Sequence, residues 1–468
     1  MVDFLKLAQP GITELSPYQP GKPVEELERE LGIADIIKLA SNESPLGPSP
    51  VVTASISGQL AELARYPDGS AYQLKDKLQA RLGIVPAMVT VGNGSNDVLE
   101  LVARVFLGPG LESIVSEHSF VVYPLVTKSL GAELTVIPAI DYGQDLKATL
   151  AAISDRTRIV FIANPNNPTG TWVSKQSLLS FLDAVPEEVL VVLDEAYAEY
   201  VAEPDYPNGL ELVGDYPNLI VTRTFSKAYG LAGLRMGYSV SHPDIADLMN
   251  RVRQPFNVNA MSLAAALVAL DDEAHLQESI QVNNEGMKML TEACDQLGLG
   301  YIPSVGNFLT IDFGRDAMPI YEGLLREGVI VRPIGVYGMP NHLRVTIGLP
   351  EENMRFIDSL KKALSGGLPK ALSGGLPKAL SAGLPKALSG GVKKALSGGV
   401  KKALSAGLPK ALSVGVKKAL SGGEKKALSG GGKEALSGSE KEAPSGGEKE
   451  TPSAGLKKPP GTDLKQDG

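Results

Sequence analysis

The chain has 468 residues, 43% hydrophobic and 21% charged, with a formal net charge of −8; that is ordinary for a globular protein of about two or three domains. A single cysteine, Cys294, excludes an intramolecular disulfide or a multi-cysteine metal site, and the four histidines (His118, His242, His275, His342) are scattered without ligand spacing. No apolar run reaches the roughly 18 residues of a membrane span, and the N-terminus, with Asp3 near its start, lacks the pattern of a secretory signal, so a cytoplasmic location is expected.

The charge is unevenly divided. Residues 363–468 hold 18 lysines, eight acids and no aromatic residue, a net of +10; the remaining 362 residues hold 27 basic and 45 acidic side chains, a net of −18. An acidic body therefore precedes a basic tail, and the negative body argues against nucleic acid as its main partner.

In chain order, residues 1–45 read as an N-terminal arm and part of a smaller domain. Residues 46–257 read as a large domain. Its apolar runs 88–91, 159–163, 189–193 and 219–221 are nearly continuous, as in parallel strands covered on both faces. Between them lie amphipathic stretches. In 97–107, Val98, Leu101, Val102, Val105 and Phe106 fall at helical spacing. This alternation predicts an α/β fold with a mainly parallel sheet sandwiched by helices. Residues 258–362 read as helices followed by short strands, including 308–312 and 343–347, and predict a smaller α+β domain. From Ala363 to Lys458 the sequence repeats with a period of eight (ALSGGLPK, ALSGGVKK and variants), twelve times over. Its Gly, Pro and Ser content cannot offset an ordering cost of roughly 1–2 kcal/mol per residue, so a disordered, low-complexity tail is expected, able at most to touch polyanions weakly.

Ligands of open α/β sheets bind beyond the carboxyl ends of the strands, and four such ends carry polar groups. The run 88–91 leads into GNGSND (92–97), two glycines and small polar residues before a helix. Free N–H groups and the helix dipole make such a start a phosphate site, although an ordinary helix cap has the same appearance. The run 159–163 ends in NPNNPTG (164–170), and 189–193 ends at Asp194. The run 219–221 leads to Lys227, flanked by Thr224 and Ser226, with Arg235 eight residues on. Hydroxyls and a guanidinium suit a phosphate. A desolvated lysine forms a Schiff base with a carbonyl. Asp194, on an apolar strand, needs a partner, which a pyridinium nitrogen or an ordinary cap or arginine can supply. Lysine, carboxylate and phosphate cup together meet the requirements of pyridoxal phosphate. Arg344 and Arg332, on late apolar strands, suit anionic substrate groups.

KLASNESPLGPSP (38–50), RYPDGSAYQLK (65–75), NPNNPTG (164–170), SKAYGLAGLRMGY (226–238) and VIVRPIGVYGMPNHLRVTIG (329–348) resemble the histidinol-phosphate aminotransferase family, a branch of the fold type I pyridoxal-phosphate enzymes, over residues about 5–362. The resemblance implies that Lys227 carries the cofactor, Asp194 faces its ring nitrogen, and Tyr197 and Asn167 hydrogen-bond its ring hydroxyl. It implies a phosphate cup of Ser95, Asn96, Thr224, Ser226 and Arg235, and Phe120 stacked on the ring. It implies a homodimer in which Tyr66 reaches the phosphate in the neighbouring subunit. Arg344 matches the residue for the substrate α-carboxylate; Tyr18 and Arg332 are the candidates for the substrate's own phosphate, and Asn42 joins them as a substrate-binding candidate. The implied reaction moves an amino group between L-histidinol phosphate and 2-oxoglutarate, in histidine biosynthesis. The rival within the enzyme class is an aromatic amino acid aminotransferase or another phosphate-substrate enzyme on the same scaffold. Rivals outside it are a regulatory module without catalysis, and a scaffold recruiting partners through its basic tail.

Overall fold

The computed structural model describes residues 2–8, 11–17 and 21–366. Tyr18 and the octads beyond Gly366, for which a disordered tail is expected, lie outside the described residues.

The strands in chain order are β1 (Ile37–Lys38), β2 (Val89–Asn93), β3 (Glu112–Ser116), β4 (Glu133–Ile137), β5 (Thr157–Ala163), β6 (Leu190–Asp194), β7 (Leu219–Thr224), β8 (Met236–Val240), β9 (Gly300–Ile302), β10 (Phe308–Asp312), β11 (Val329–Ile330), β12 (Arg332–Pro333) and β13 (His342–Thr346). Seven form one sheet in the order β2-β8-β7-β6-β5-β3-β4. The neighbours from β7 to β4 pair in parallel; β8 runs antiparallel to β7 and to β2. The apolar runs noted above are β2, β5, β6 and β7. Their side chains are buried on both faces, in two cores. Val160, Ile162, Val191, Leu193 and Val221 point into one; Ile159, Phe161, Val192 and Ile220 point into the other. The period of two within a continuous apolar run thus feeds both layers at once.

Three strands carry weaker signals. Edge strand β4 is partly exposed, β8 (MGYSV) contains Gly and Ser, and β3 starts at a buried Glu112. Its carboxylate accepts hydrogen bonds from Thr157 (2.6 Å) and Thr135 (2.8 Å), which offset its desolvation.

The smaller layer is an antiparallel sheet, β12-β13-β10-β9, packed against helices Glu273–Leu297, Met318–Arg326 and Pro350–Gly366. Leu290, Cys294, Leu309, Ile311, Leu324, Val345, Phe356 and Leu360 form its core. The N-terminal arm joins it, because β1 pairs in parallel with β11 and Leu39 enters the same core. Two boundaries differ from the sequence reading. Helix Ala260–Ala269 lies past residue 257, yet Ala265, Ala266 and Ala269 pack into the large-sheet core. Its small side chains let it press closely on helix Pro50–Gln59. Helix Pro350–Gly366 continues past 362 into the first octad, with Ala363 and Leu364 packed on the small core; Ala and Leu are good helix formers, and the run ends among glycines.

Because the small core is closed by residues up to Leu364, a chain truncated after Gly366 is expected to keep its fold. Its midpoint of thermal unfolding should stay within about 2 °C of the full chain, a margin that corresponds to roughly 1–2 kcal/mol in a body of this size. A fall of ten degrees or more in differential scanning calorimetry would contradict this.

Candidate active site

The carboxyl ends of β2, β5, β6 and β7 open on one cavity of about 270 Å³. Ser95, Asn96, Phe120, Asn167, Asp194, Tyr197, Thr224, Ser226, Lys227 and Arg235 line it from the large sheet, and Arg332 and Arg344 from the small one. Asn42, on the arm, completes the wall. The parallel order of the strands thus brings residues from Ser95 to Arg235 to one crevice, and the arm and the antiparallel layer add Asn42, Arg332 and Arg344 to it.

Asp194 ends β6 and is 5% exposed. Its Oδ2 accepts the Tyr123 hydroxyl at 2.8 Å and its Oδ1 the Thr222 hydroxyl at 2.9 Å. Thr222 stands directly opposite Asp194 in the β6–β7 register. Burial pushes the Asp194 carboxyl above its ordinary range, while these two hydroxyls, the Ala196 N–H and the charge of Lys227 pull it back. Its neighbour Glu195 is treated differently. It faces the other way and is paired with Arg223, Nη2 to Oε2 at 2.6 Å. Among the described residues no lysine or arginine head group lies within ion-pair distance of Asp194.

Lys227 follows β7 in a turn pinned by the Gly230 N–H to the Lys227 carbonyl (2.9 Å) and by the Ser226 N–H to the Thr224 hydroxyl (3.1 Å). Its Nζ donates to the Ser41 carbonyl at 3.3 Å and lies 5.6 Å from the centre of the Tyr197 ring. Burial lowers its pKa to about 8, with repulsion from Arg344 and Arg235 acting in the same direction and Glu43 and Asp194 opposing. At pH 7 roughly one molecule in ten then carries a neutral amine, against about one in several thousand for an ordinary lysine.

An anion cradle lies alongside. Helix Ser95–Phe106 starts at Gly94, whose φ of +82° favours glycine. A Cβ there would fall 2.4 Å from Arg235 Nη2, so the missing side chain is what admits the guanidinium over the helix start. Arg235 also donates through Nη1 to the Ser226 hydroxyl at 3.4 Å. Helix N–H groups, hydroxyls and a guanidinium converge as a phosphate requires.

Asn42 adopts the left-handed region, φ +54°, which asparagine tolerates. Its Nδ2 donates to the Tyr197 hydroxyl at 2.9 Å. Burial pushes the Tyr197 phenol up to about 12, so it stays a neutral donor. Arg344 and Arg332 are Cα partners across β12 and β13, both nearly buried. Arg344 donates through Nη1 to Asn167 Oδ1 (2.5 Å) and through Nη2 to the Ala40 carbonyl (2.7 Å). Asn167 lies in the NPNNPTG loop, where both Asn–Pro peptides, 164–165 and 167–168, are cis.

Tyr66 is not in this cavity. It is 82% exposed and stacks on Phe256, ring centres 4.6 Å apart. Sequence reasoning missed Tyr123, Thr222 and Tyr337, all at or beside the cavity. Tyr123 lies three residues after Phe120, across the turn that opens helix Val122–Ser129, and the two rings meet edge to face at 5.8 Å, so proximity to Phe120 was the available signal.

The family profile for aminotransferases of class I and II matches residues 34–360. The chain belongs to this family. It is 60% identical to histidinol-phosphate aminotransferase 2 of Pseudomonas fluorescens strain Pf-5 over 365 residues, 78% of this chain and 99% of that one. It is 58% identical to histidinol-phosphate aminotransferase 2 of Pseudomonas aeruginosa strain PAO1, over 78% of this chain and all of the relative. Among solved structures, the histidinol-phosphate aminotransferase of Sinorhizobium meliloti, in complex with pyridoxal-5'-phosphate, is 31% identical with a TM-score of 0.71, covering 76% of this chain and 97% of that chain.

Gly94→Ala should displace Arg235 from the helix start and strain the backbone. Loss of one charge-assisted contact predicts roughly 10- to 100-fold weaker binding of inorganic phosphate, measured by isothermal calorimetry on the cofactor-free chain. Unchanged affinity would place the anion elsewhere.

Proposed function

We propose that this aminotransferase moves an amino group between L-histidinol phosphate and 2-oxoglutarate with pyridoxal phosphate as cofactor. The observation that carries the reading is the meeting of Lys227, Asp194 and Arg344 on one cavity, in a chain up to 60% identical to enzymes of that name. That identity favours histidinol phosphate over the aromatic amino acids as the amino donor.

The residues present fit the cofactor. A buried carboxylate with no cationic partner among the described residues suits a protonated ring nitrogen. The Arg235 guanidinium, admitted by Gly94 over the start of helix Ser95–Phe106 and joined there to the Ser226 hydroxyl, suits a phosphate. Ser95, Asn96, Thr224, Ser226 and Arg235 would hold that phosphate. Tyr197 and Asn167 would hydrogen-bond the ring hydroxyl, and Phe120 would cover the ring face. When bound, the cofactor supplies an aldehyde that condenses with amines and a ring that accepts an electron pair.

The chain's own groups do the rest. Lys227, with its pKa near 8, takes and returns a proton at Nζ as a general base matched to neutral pH. Asp194 holds positive charge at its end of the cavity. Arg344 binds a carboxylate with its planar fork. Arg332, its neighbour in register, receives the second anion, either the phosphate of one substrate or the distal carboxylate of the other. Asn42, on the same cavity, joins them as a substrate-binding residue; the role given to Tyr18 rests on the sequence resemblance. Two buried guanidiniums side by side explain how one site serves a phosphate monoester and a dicarboxylate.

Assembly as a homodimer belongs to the same reading. It is supported by Tyr66, Leu60, Leu63 and Tyr72, large side chains exposed on one stretch; Tyr66 would reach the partner's phosphate cup. Among the described residues no helix is long and apolar enough to cross a membrane, and one buried, unreactive thiol, Cys294, is in keeping with the cytoplasm.

In steady-state assays, kcat/KM for histidinol phosphate should exceed that for phenylalanine by roughly 100-fold or more, the discrimination available to a site built around an anion. Lys227→Ala should lose turnover by at least about a thousandfold. Equal use of both donors would refute the substrate, and a fully active Lys227→Ala chain the chemistry. The pH dependence follows from the lowered lysine pKa. Capture of added pyridoxal phosphate by the cofactor-free chain should speed up with rising pH, be half-maximal near pH 8, where half of Nζ is neutral, and level off above about pH 9. A rate still climbing steeply at pH 9.5 in stopped-flow absorbance would contradict it.

A further inference from the structure

Asp194 is gripped in a way that the need for a carboxylate at this place does not by itself require. Each oxygen accepts one neutral hydroxyl: Tyr123 on Oδ2 and Thr222 on Oδ1. The donors come from different elements. Thr222 is fixed by the β6–β7 register. Tyr123 belongs to helix Val122–Ser129, is wholly buried, and is clamped by Phe161, with ring centres 4.8 Å apart and planes 5° from parallel. Thr222 is likewise wholly buried. Neither hydroxyl can swing away to water.

A buried acid is usually kept ionised by a cation, as Arg223 does for Glu195 one residue further on. For Asp194 the chain supplies none at ion-pair distance among its described residues. Two neutral donors favour the charged carboxylate without cancelling its charge. Each takes one lone pair and the Ala196 N–H a third, so a carboxylate with about four acceptor sites keeps one for the cavity.

Resting on the cofactor reading above, we propose that Tyr123 and Thr222 are positioning residues. Together they orient the Asp194 carboxylate and keep it the weaker base, so that a proton shared with the cofactor's ring nitrogen resides on the ring. The two hydroxyls act through Asp194 and contact no reacting atom. Removing either donor raises the proton affinity of Asp194 and draws the shared proton off the ring. The ring then loses its positive charge. Without that charge, the rest of the conjugated system holds its own proton more tightly, since like-charge repulsion is gone.

The test is a pH titration of the absorption spectrum of the holoenzyme. Tyr123→Phe retains the ring stacked on Phe161; Thr222→Val retains shape; Thr222→Ser retains the hydroxyl. Tyr123→Phe is expected to move the spectral midpoint up by roughly one pH unit, a tenfold change in proton affinity. It should lower kcat about tenfold with little change in KM, the signature of a loss confined to the transition state. Thr222→Val should shift the midpoint in the same direction and Thr222→Ser should restore it. Should Tyr123→Phe fail to fold, the Thr222 pair carries the test alone. Wild-type midpoints in variants that still bind the cofactor would overturn this role and leave the cofactor reading intact. A wild-type chain with no cofactor absorption at all would overturn that reading, and this role with it.

Discussion

The site depends on one constraint: charges removed from water must be held by something. A carboxylate, a lysine and three arginines line a cavity whose walls include the ends of a sheet buried on both faces. Ionised groups in such surroundings are costly unless hydrogen-bonded or paired. The chain meets that cost with different devices. Asp194 has hydroxyls, Arg344 has an asparagine and a backbone carbonyl, and Lys227 partly gives up its proton. A lowered lysine pKa and a raised carboxyl pKa are therefore results of the same burial, and they are what makes the groups useful.

Much of this was legible because burial leaves a mark on sequence. A strand covered on both faces must be apolar throughout, so β5, β6 and β7 stand out, and a charge at the end of such a run, as at Asp194, is conspicuous. Lys227 and Arg235 were legible from the hydroxyl-rich turn around them, and Arg344 from its apolar strand. The substrates came from resemblance; the placement of a lysine, a carboxylate and an anion cup at strand ends reached pyridoxal phosphate as the cofactor and no further.

What stayed hidden has physical reasons too. Tyr123 and Thr222 look like core residues because they are core residues; only the third dimension shows that their hydroxyls end on one carboxylate. The antiparallel insertion of β8 has no local signature, since pairing direction is decided by the path of the chain outside the strand. Helix Ala260–Ala269 packs in the large-sheet core although its place in the chain points to the smaller layer, because an apolar helix of small residues fits either core, and its partner, Pro50–Gln59, is distant in sequence. Asn42 was readable as a motif residue, but not as the left-handed anchor of the Tyr197 hydroxyl.

The placement of Arg332 and Arg344 has a mechanical corollary. Both arise from the antiparallel layer, whereas the lysine and the acid arise from the parallel one. A molecule held by all four spans the seam between two separately formed cores. In the function proposed above, each turnover inserts and withdraws a crosslink, so the cohesion of the two halves would rise and fall with occupancy, and the grip on substrate would also be a grip of the protein upon itself.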